Sequence, residues 1–202
     1  MEPEASQGVL IQSRRAARES ALQALYQVAS GGTGFEYALR DALARTNFTP
    51  SCVELVTELV VGVAKTWNQL DEQIQPLLGE GWTWDRIPAV DRCILRIAAY
   101  ELYHIPTMPP KVTINEAVIL AKKFDTPEAA KFINGLLGNL LKQSPKAEWD
   151  PNQHAVADED RVSEPQLDEP IEEELVEEGS AQHEEMVKAG AWSIRATNSP
   201  TV

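Results

Sequence analysis

The stretch from Ile87 to Ile105, IPAVDRCILRIAAYELYHI, constrains this chain more than any other. At 3.6 residues per turn, Val90, Ile94, Leu95, Ile97, Ala98, Ala99, Leu102 and Ile105 cover more than half of a helical cylinder. A surface helix carries a stripe, so an arc this broad predicts a helix through the middle of a bundle. Pro88 suits the first turn, where a missing N–H costs nothing, and Asp91 lies where the helix dipole favours an anion. Pro106, Pro109 and Pro110 stop the far end. Arg92 and Arg96, four apart, mark the one polar flank. Glu101 falls inside the apolar arc, near the end that disfavours anions, and so needs a partner. It is either a catalytic carboxylate or half of a core ion pair.

The flanking segments are helical as well. Residues 1–12 read as a flexible arm. Ser13 is positioned to cap a helix from Arg14 to about Ser30, ended by Gly31-Gly32, with Ala17, Ala21, Leu22, Ala24, Leu25 and Val28 on its apolar face. Thr33 is placed to cap a short second helix carrying Phe35, Leu39 and Leu43. Thr49-Pro50 opens a long one whose apolar spacing runs from Val53 to Leu77 and breaks near Pro76. Beyond the loop GEGWTWDR and the central helix, Thr113-x-x-Glu116 has the form of a capping box. Thr126-Pro127 starts the last helix and Ser144-Pro145 ends it. No segment alternates with period two, which predicts an all-α body of six or seven helices.

Charge divides the chain. Residues 1–146 hold 15 Lys+Arg and 16 Asp+Glu, whereas residues 147–202 hold 3 against 15. The acidic character therefore belongs to 145–202, a Pro-, Glu-, Asp- and Ser-rich tail expected to be disordered because it has too little apolar surface to offset its chain entropy. Cys52 and Cys93 sit in apolar helical patterns, with neither disulfide nor metal spacing, so a reducing, cytoplasmic setting is expected. No run is long and apolar enough to span a membrane.

Catalytic chemistry is sparse. His104 is the body's one histidine, at a helix end where a cation is favoured anyway. Glu101 has no second carboxylate at nearby helical spacing, which favours a structural ion pair. No cofactor or metal motif is present, and a non-enzymatic role is expected. Binding chemistry is richer. Arg14, Arg15 and Arg18 crowd a helix N-terminus, where cations oppose the dipole; they form either a phosphate-binding fork or a solvated cluster. Lys122, Lys123 and Lys131 bracket Phe124 across a short turn, the pairing of cation and aromatic that single-stranded RNA uses. Phe132 falls on the apolar face and reads as core, while Phe124, at a helix end, is open to either role.

The segments RRAARESALQALYQ (Arg14–Gln27), VDRCILRIAAYEL (Val90–Leu102) and PPKVTINEAVILAKKF with KFINGLL (Pro109–Leu137) resemble the NusB family of bacterial transcription antitermination factors. The resemblance covers roughly residues 10–142. It implies a helical RNA-binding domain over 13–144, built as two three-helix sub-bundles. It further implies binding to the boxA element of nascent rRNA together with ribosomal protein NusE, within an RNA polymerase antitermination complex, and raises a homodimer for the free protein. By position it assigns RNA contacts to Arg14, Arg15, Arg18, Lys123, Phe124, Glu128, Lys131 and Phe132, reopening Phe132. Tyr26 and Asp91 match positions expected to face NusE. Ala16 stands where the family often has another basic residue. Two other classes remain open: an accessory domain related to rRNA cytosine methyltransferases, and a helical scaffold that binds only proteins.

Overall fold

A computed structural model describes residues 10–79 and 81–150. Among these residues the chain forms six α-helices: α1 (Arg14–Gly31), α2 (Phe35–Ala44), α3 (Pro50–Ile74), α4 (Ala89–His104), α5 (Pro110–Phe124) and α6 (Pro127–Gln143). Single turns of 3-10 helix follow α3 at Gln75–Leu77 and precede α4 at Trp84–Arg86. The all-helical expectation is met. The acidic segment from 151 onward, and residues 1–9 of the expected arm, lie outside the described residues.

Local chemistry explains most boundaries. The Ser13 hydroxyl accepts the Ala16 N–H at 3.1 Å, and Gly32, at φ 68°, ends α1 in the left-handed region that glycine enters without a Cβ penalty. The Thr126 hydroxyl accepts the Ala129 N–H at 3.1 Å, with Pro127 just inside α6. Pro76 turns the end of α3 into 3-10 geometry. Two caps differ from expectation. Gly34, without a side-chain bond, caps α2 in place of Thr33. The Thr113-x-x-Glu116 box is not a cap at all. Pro110 starts α5 four residues sooner, which leaves both side chains inside the helix and free to reach other elements.

Helices α1, α2 and α3 pack on one another, as do α4, α5 and α6, giving two three-helix sub-bundles. Helix α4 touches α1, α3, α5 and α6 and so belongs to both. Ile94, Leu95, Ala99 and Leu102 are fully enclosed there, each large side chain contributing roughly 1.5–3 kcal/mol of transfer free energy. Contact with α3 is close enough that a Cβ at Gly62 would overlap the Tyr100 ring.

Buried ions cross the interfaces. Glu101, 1% exposed, accepts Arg18 Nε of α1 at 2.8 Å and the Thr113 hydroxyl of α5 at 2.8 Å. Its mate thus lies on another helix. Arg96 does not form a solvated flank. It is buried, forms a bidentate pair with Asp71 of α3 at 2.6 and 2.7 Å, and lies over the Trp67 ring at 3.8 Å. Two terminal expectations also change. Ile11 is not part of a free arm, because its N–H donates to Asn47 O and its carbonyl accepts from Thr49, fastening it beside Phe48. The body likewise continues past Ser144: Lys146 is buried, and its ammonium donates to the carbonyls of Glu101, Ile105 and Met108 at 2.7, 2.6 and 2.6 Å. They lie at the end of α4 and in the following turn, where the Ile105 carbonyl also accepts the Met108 N–H at 3.1 Å, and a cation suits that end of the dipole.

Truncating one partner strands the other charge. Glu101→Ala is expected to cost about 3–5 kcal/mol, read as a lowered urea midpoint. The double replacement Arg18→Met, Glu101→Leu should regain much of that loss; a double variant as unstable as the single would refute the ion pair as the cause.

Candidate nucleic-acid interface

Cationic side chains from α1 and from the α5–α6 turn meet along one seam. Arg15 reaches α5, donating to Glu116 through Nε at 3.0 Å and Nη2 at 2.8 Å. Four residues on, Glu19 accepts Lys123 Nζ at 2.7 Å. The two pairs stand one turn apart on α1 and two turns apart on α5, and long side chains bridge the gap between the helices. The Arg15 side chain is 47% exposed against 7% for Glu116. The carboxylate beneath holds Arg15, while the outer Nη1 edge of its planar fork faces away from that bidentate grip. The hydrogen bond with Glu116 is also the main reason the Arg15 pKa is raised. Arg14 stands beside it, half-buried.

The far end of the seam is the α5–α6 turn. Lys122, Lys123, Phe124 and Lys131 are exposed. Phe124 keeps 36% of its surface open, with Lys123 Nζ 5.5 Å from its ring centroid. Glu128 and Phe132 follow on α6, four residues apart and both half-buried. Phe132 is therefore neither pure core nor free surface. It packs on the core with one side and stacks on Trp82 with the other, ring centroids 5.7 Å apart.

Two expected surface residues are elsewhere. Arg18, 2% exposed, is enclosed against Glu101 and Met108 Sδ. It shares the arginine line of the helix, but one turn further in, where α4 and α5 close over it. Asp91 is 3% exposed, so it presents no partner surface, and its Oδ1 has no hydrogen-bond partner among the described residues. Burial raises the Asp91 carboxyl from its ordinary value to about 7, and the charge of Asp125 and a hydrogen bond with it push the same way. Tyr26 is 44% exposed on α1 and stays available to a partner.

Sequence reasoning missed Trp82 and Asp125. The loop GEGWTWDR carried a signal in its two tryptophans, since large aromatics in a polar loop need something to pack on. Asp125 offered none, because its proximity to Asp91 is a product of the tertiary fold. Among the described residues, no three His, Cys, Asp or Glu side chains gather in a way that would hold a metal, and no helix is long and apolar enough to cross a membrane.

Fold and surface together define an all-α protein of two joined bundles, with a cationic, aromatic-edged seam on one side. The NusB family profile matches residues 15–142, and the chain belongs to that family. It is 43% identical over 127 residues to the transcription antitermination protein NusB of Bacillus subtilis (strain 168), covering 63% of this chain and 93% of the relative. The NusB of Streptomyces avermitilis is 40% identical over 136 residues, covering 66% and 94%. Among solved structures, a crystal form of T. maritima NusB superposes with a TM-score of 0.64 at 30% identity, covering 69% of this chain and 97% of that one. A complex of antitermination factors NusB and NusE with dsRNA gives 0.60 at 26% identity, covering 64% and 96%.

The Asp91 carboxyl fixes a pH dependence. Its folded pKa lies above the unfolded value, so the native state holds a proton that the unfolded chain has lost between about pH 4 and pH 7. Stability should fall as pH rises through that window. Asp91→Asn should melt about 3 °C or more above the parent at pH 8 and close to it at pH 4; equal differences at both values would contradict this assignment.

Proposed function

We propose that this protein is a transcription antitermination factor that binds the boxA element of nascent rRNA together with ribosomal protein NusE. In that role it helps RNA polymerase complete rRNA transcripts, a function that belongs in the cytoplasm. The observation that carries the reading is the α1–α5 seam, which brings Arg15, Lys123 and Phe124 onto one face through two cross-helix ion pairs. Cations supply phosphate contacts, and the exposed ring supplies a face for an unpaired base. The kinship with NusB proteins, and the likeness to a NusB structure in complex with NusE and RNA, supply the partners. Arg14, Arg15, Lys123, Phe124, Glu128, Lys131 and Phe132 make up the RNA surface in this reading. Arg18 supports it from beneath, and Tyr26 is the side chain offered to NusE.

One observation favours a second reading, a scaffold that binds only proteins. Both Arg15 and Lys123 already have carboxylate partners, so phosphate must share or displace them. Salt separates the two. Phosphate binding releases counterions, so log K should fall steeply and linearly with log salt.

Replacing Arg14 and Arg15 together with Ala should weaken binding to boxA RNA about tenfold or more at low salt and flatten that slope. Because the Glu116 carboxylate beneath Arg15 is buried, the double variant should also melt lower, so binding is compared at a temperature where circular dichroism shows it fully folded. Arg18→Ala, which strands Glu101, should lower the melting temperature further. A gel shift with boxA and scrambled RNA, with and without NusE, reads the first effect. Unchanged RNA affinity in the double variant would turn the reading toward the protein-only scaffold.

A further inference from the structure

Lys146 decides where the acidic end of the chain leaves the body. Its buried ammonium is held by the carbonyls of Glu101, Ile105 and Met108, and the Trp149 indole N–H donates to the Pro106 carbonyl at 3.4 Å. The described residues therefore end, at Asp150, against the turn between α4 and α5. That turn adjoins the arginine end of the seam. Met108, whose carbonyl accepts from Lys146, also offers its sulfur to Arg18 Nη2 at 3.1 Å, and Arg14 and Arg15 lie one turn further out on α1. Exposed Lys111 is in the first turn of α5. Glu116, which holds Arg15, and Lys123 follow Pro110 by about 9 and 20 Å along the helix axis.

We propose that the arginine end of the seam is a docking surface for the chain's own acidic run Asp158-Glu159-Asp160, which occupies it as a competitor of phosphate. The competition rests on the RNA-binding reading; the docking does not. Residues 1–146 are nearly neutral as a whole, so the seam stands out by gathering Arg14, Arg15, Lys111 and Lys123 locally rather than by net charge. Three consecutive carboxylates offer these cations the same charge-assisted acceptors that a phosphate backbone does. The run is also within reach. Asp158 follows Asp150 by eight residues, a length of chain that spans at most about 26–29 Å, more than the distance along α5 to Lys123. Because the run is tethered, it meets the seam at a local concentration in the millimolar range, which makes even weak ion pairs compete. These pairs are exposed and screened by salt, so the run covers the seam most at low salt.

The test uses the full chain. A carbodiimide joins a carboxylate to an amine only where the two touch, so it reads docking without RNA. Peptide mapping at low salt should find Asp158, Glu159 or Asp160 linked to Lys111, Lys122 or Lys123 far more often than to Lys142, which is exposed and as close to the root of the segment in the chain. Links spread evenly over Lys142 and exposed Lys65 would overturn the docking. Asp158→Asn, Glu159→Gln and Asp160→Asn together should tighten binding of a single-stranded RNA oligonucleotide containing boxA about threefold or more at low salt, because a seam covered part of the time loses affinity in proportion to the fraction left open. Glu172→Gln, Glu173→Gln and Glu174→Gln remove the same charge from a tether almost three times as long, and should change binding by less than about twofold. The gain should vanish when Arg14 and Arg15 are both Ala. An equal gain from both acidic sets would make the effect one of net charge, and no gain from either would remove the competitor. Each of these overturns the proposal and leaves the RNA reading standing on the salt slope of the parent. If the parent binds no RNA at any salt, the RNA reading and the competition fall together, and the crosslinks alone decide the docking.

Discussion

The Glu101 carboxylate is the joint on which the structure depends. It stands in an apolar helix near the end where the dipole repels an anion, and burial there without partners would cost several kcal/mol. Arg18 of α1 and Thr113 of α5 answer it from two sides, and the Lys146 ammonium binds the Glu101 carbonyl from a third direction. One side chain thus ties α1 and α5 to α4 and, through its own backbone, draws in the segment beyond α6. Burial lowers the Lys146 ammonium to about 8 while Glu101 pulls it back up, so the two charges sustain each other. A hydrophobic contact could hold these helices together; only directed bonds fix their rotation.

That rotation places the surface. With Arg18 turned inward, Arg15, three residues earlier, points along the flank of α1 toward Glu116, and Glu19 points toward Lys123. The cations at the seam are held by carboxylates behind them, and the more exposed partner in both pairs is the cation. With their cations open to water, these pairs add less to stability than the enclosed pair at Glu101. Their effect is to limit the conformations of long side chains before any ligand arrives, which lowers the entropy cost of binding.

Periodicity revealed the elements, and its failures share one cause. The central helix, its proline stops, the caps at Ser13 and Thr126 and the glycine end of α1 are local features, and the sequence carries them openly. Glu101's need for a partner was also legible, because a charge inside an apolar arc is a contradiction visible in one helix. Which partner it takes was not. Arg18 lies on the same helical line as Arg14, and nothing within α1 says that α4 and α5 close over one and leave the other outside. Arg96 and Asp91 were misplaced for the same reason, since their burial is set by α3 and by the α5–α6 turn. Thr113 and Glu116 matched a capping pattern, but Pro110 had already supplied the helix start.

The Asp91 carboxyl shows how the same logic reaches the candidate site. Glu101 is a buried anion with a full set of partners, whereas Asp91 is a buried acid whose Oδ1 has none and which faces Asp125. Burial of Asp91 and the nearby charge of half-exposed Asp125 both favour the protonated form of Asp91. Asp125 is the residue between Phe124 and Thr126, so its approach to Asp91 brings the first turn of α4 against the turn that carries the exposed aromatic. The turn meets the central helix at an acid whose carboxyl is raised to about 7, while the seam is tied to α1 by the Arg15–Glu116 and Lys123–Glu19 pairs. Lys123 precedes Phe124 directly, so the turn is fastened twice by different chemistry, to α1 through Glu19 and to α4 through Asp91.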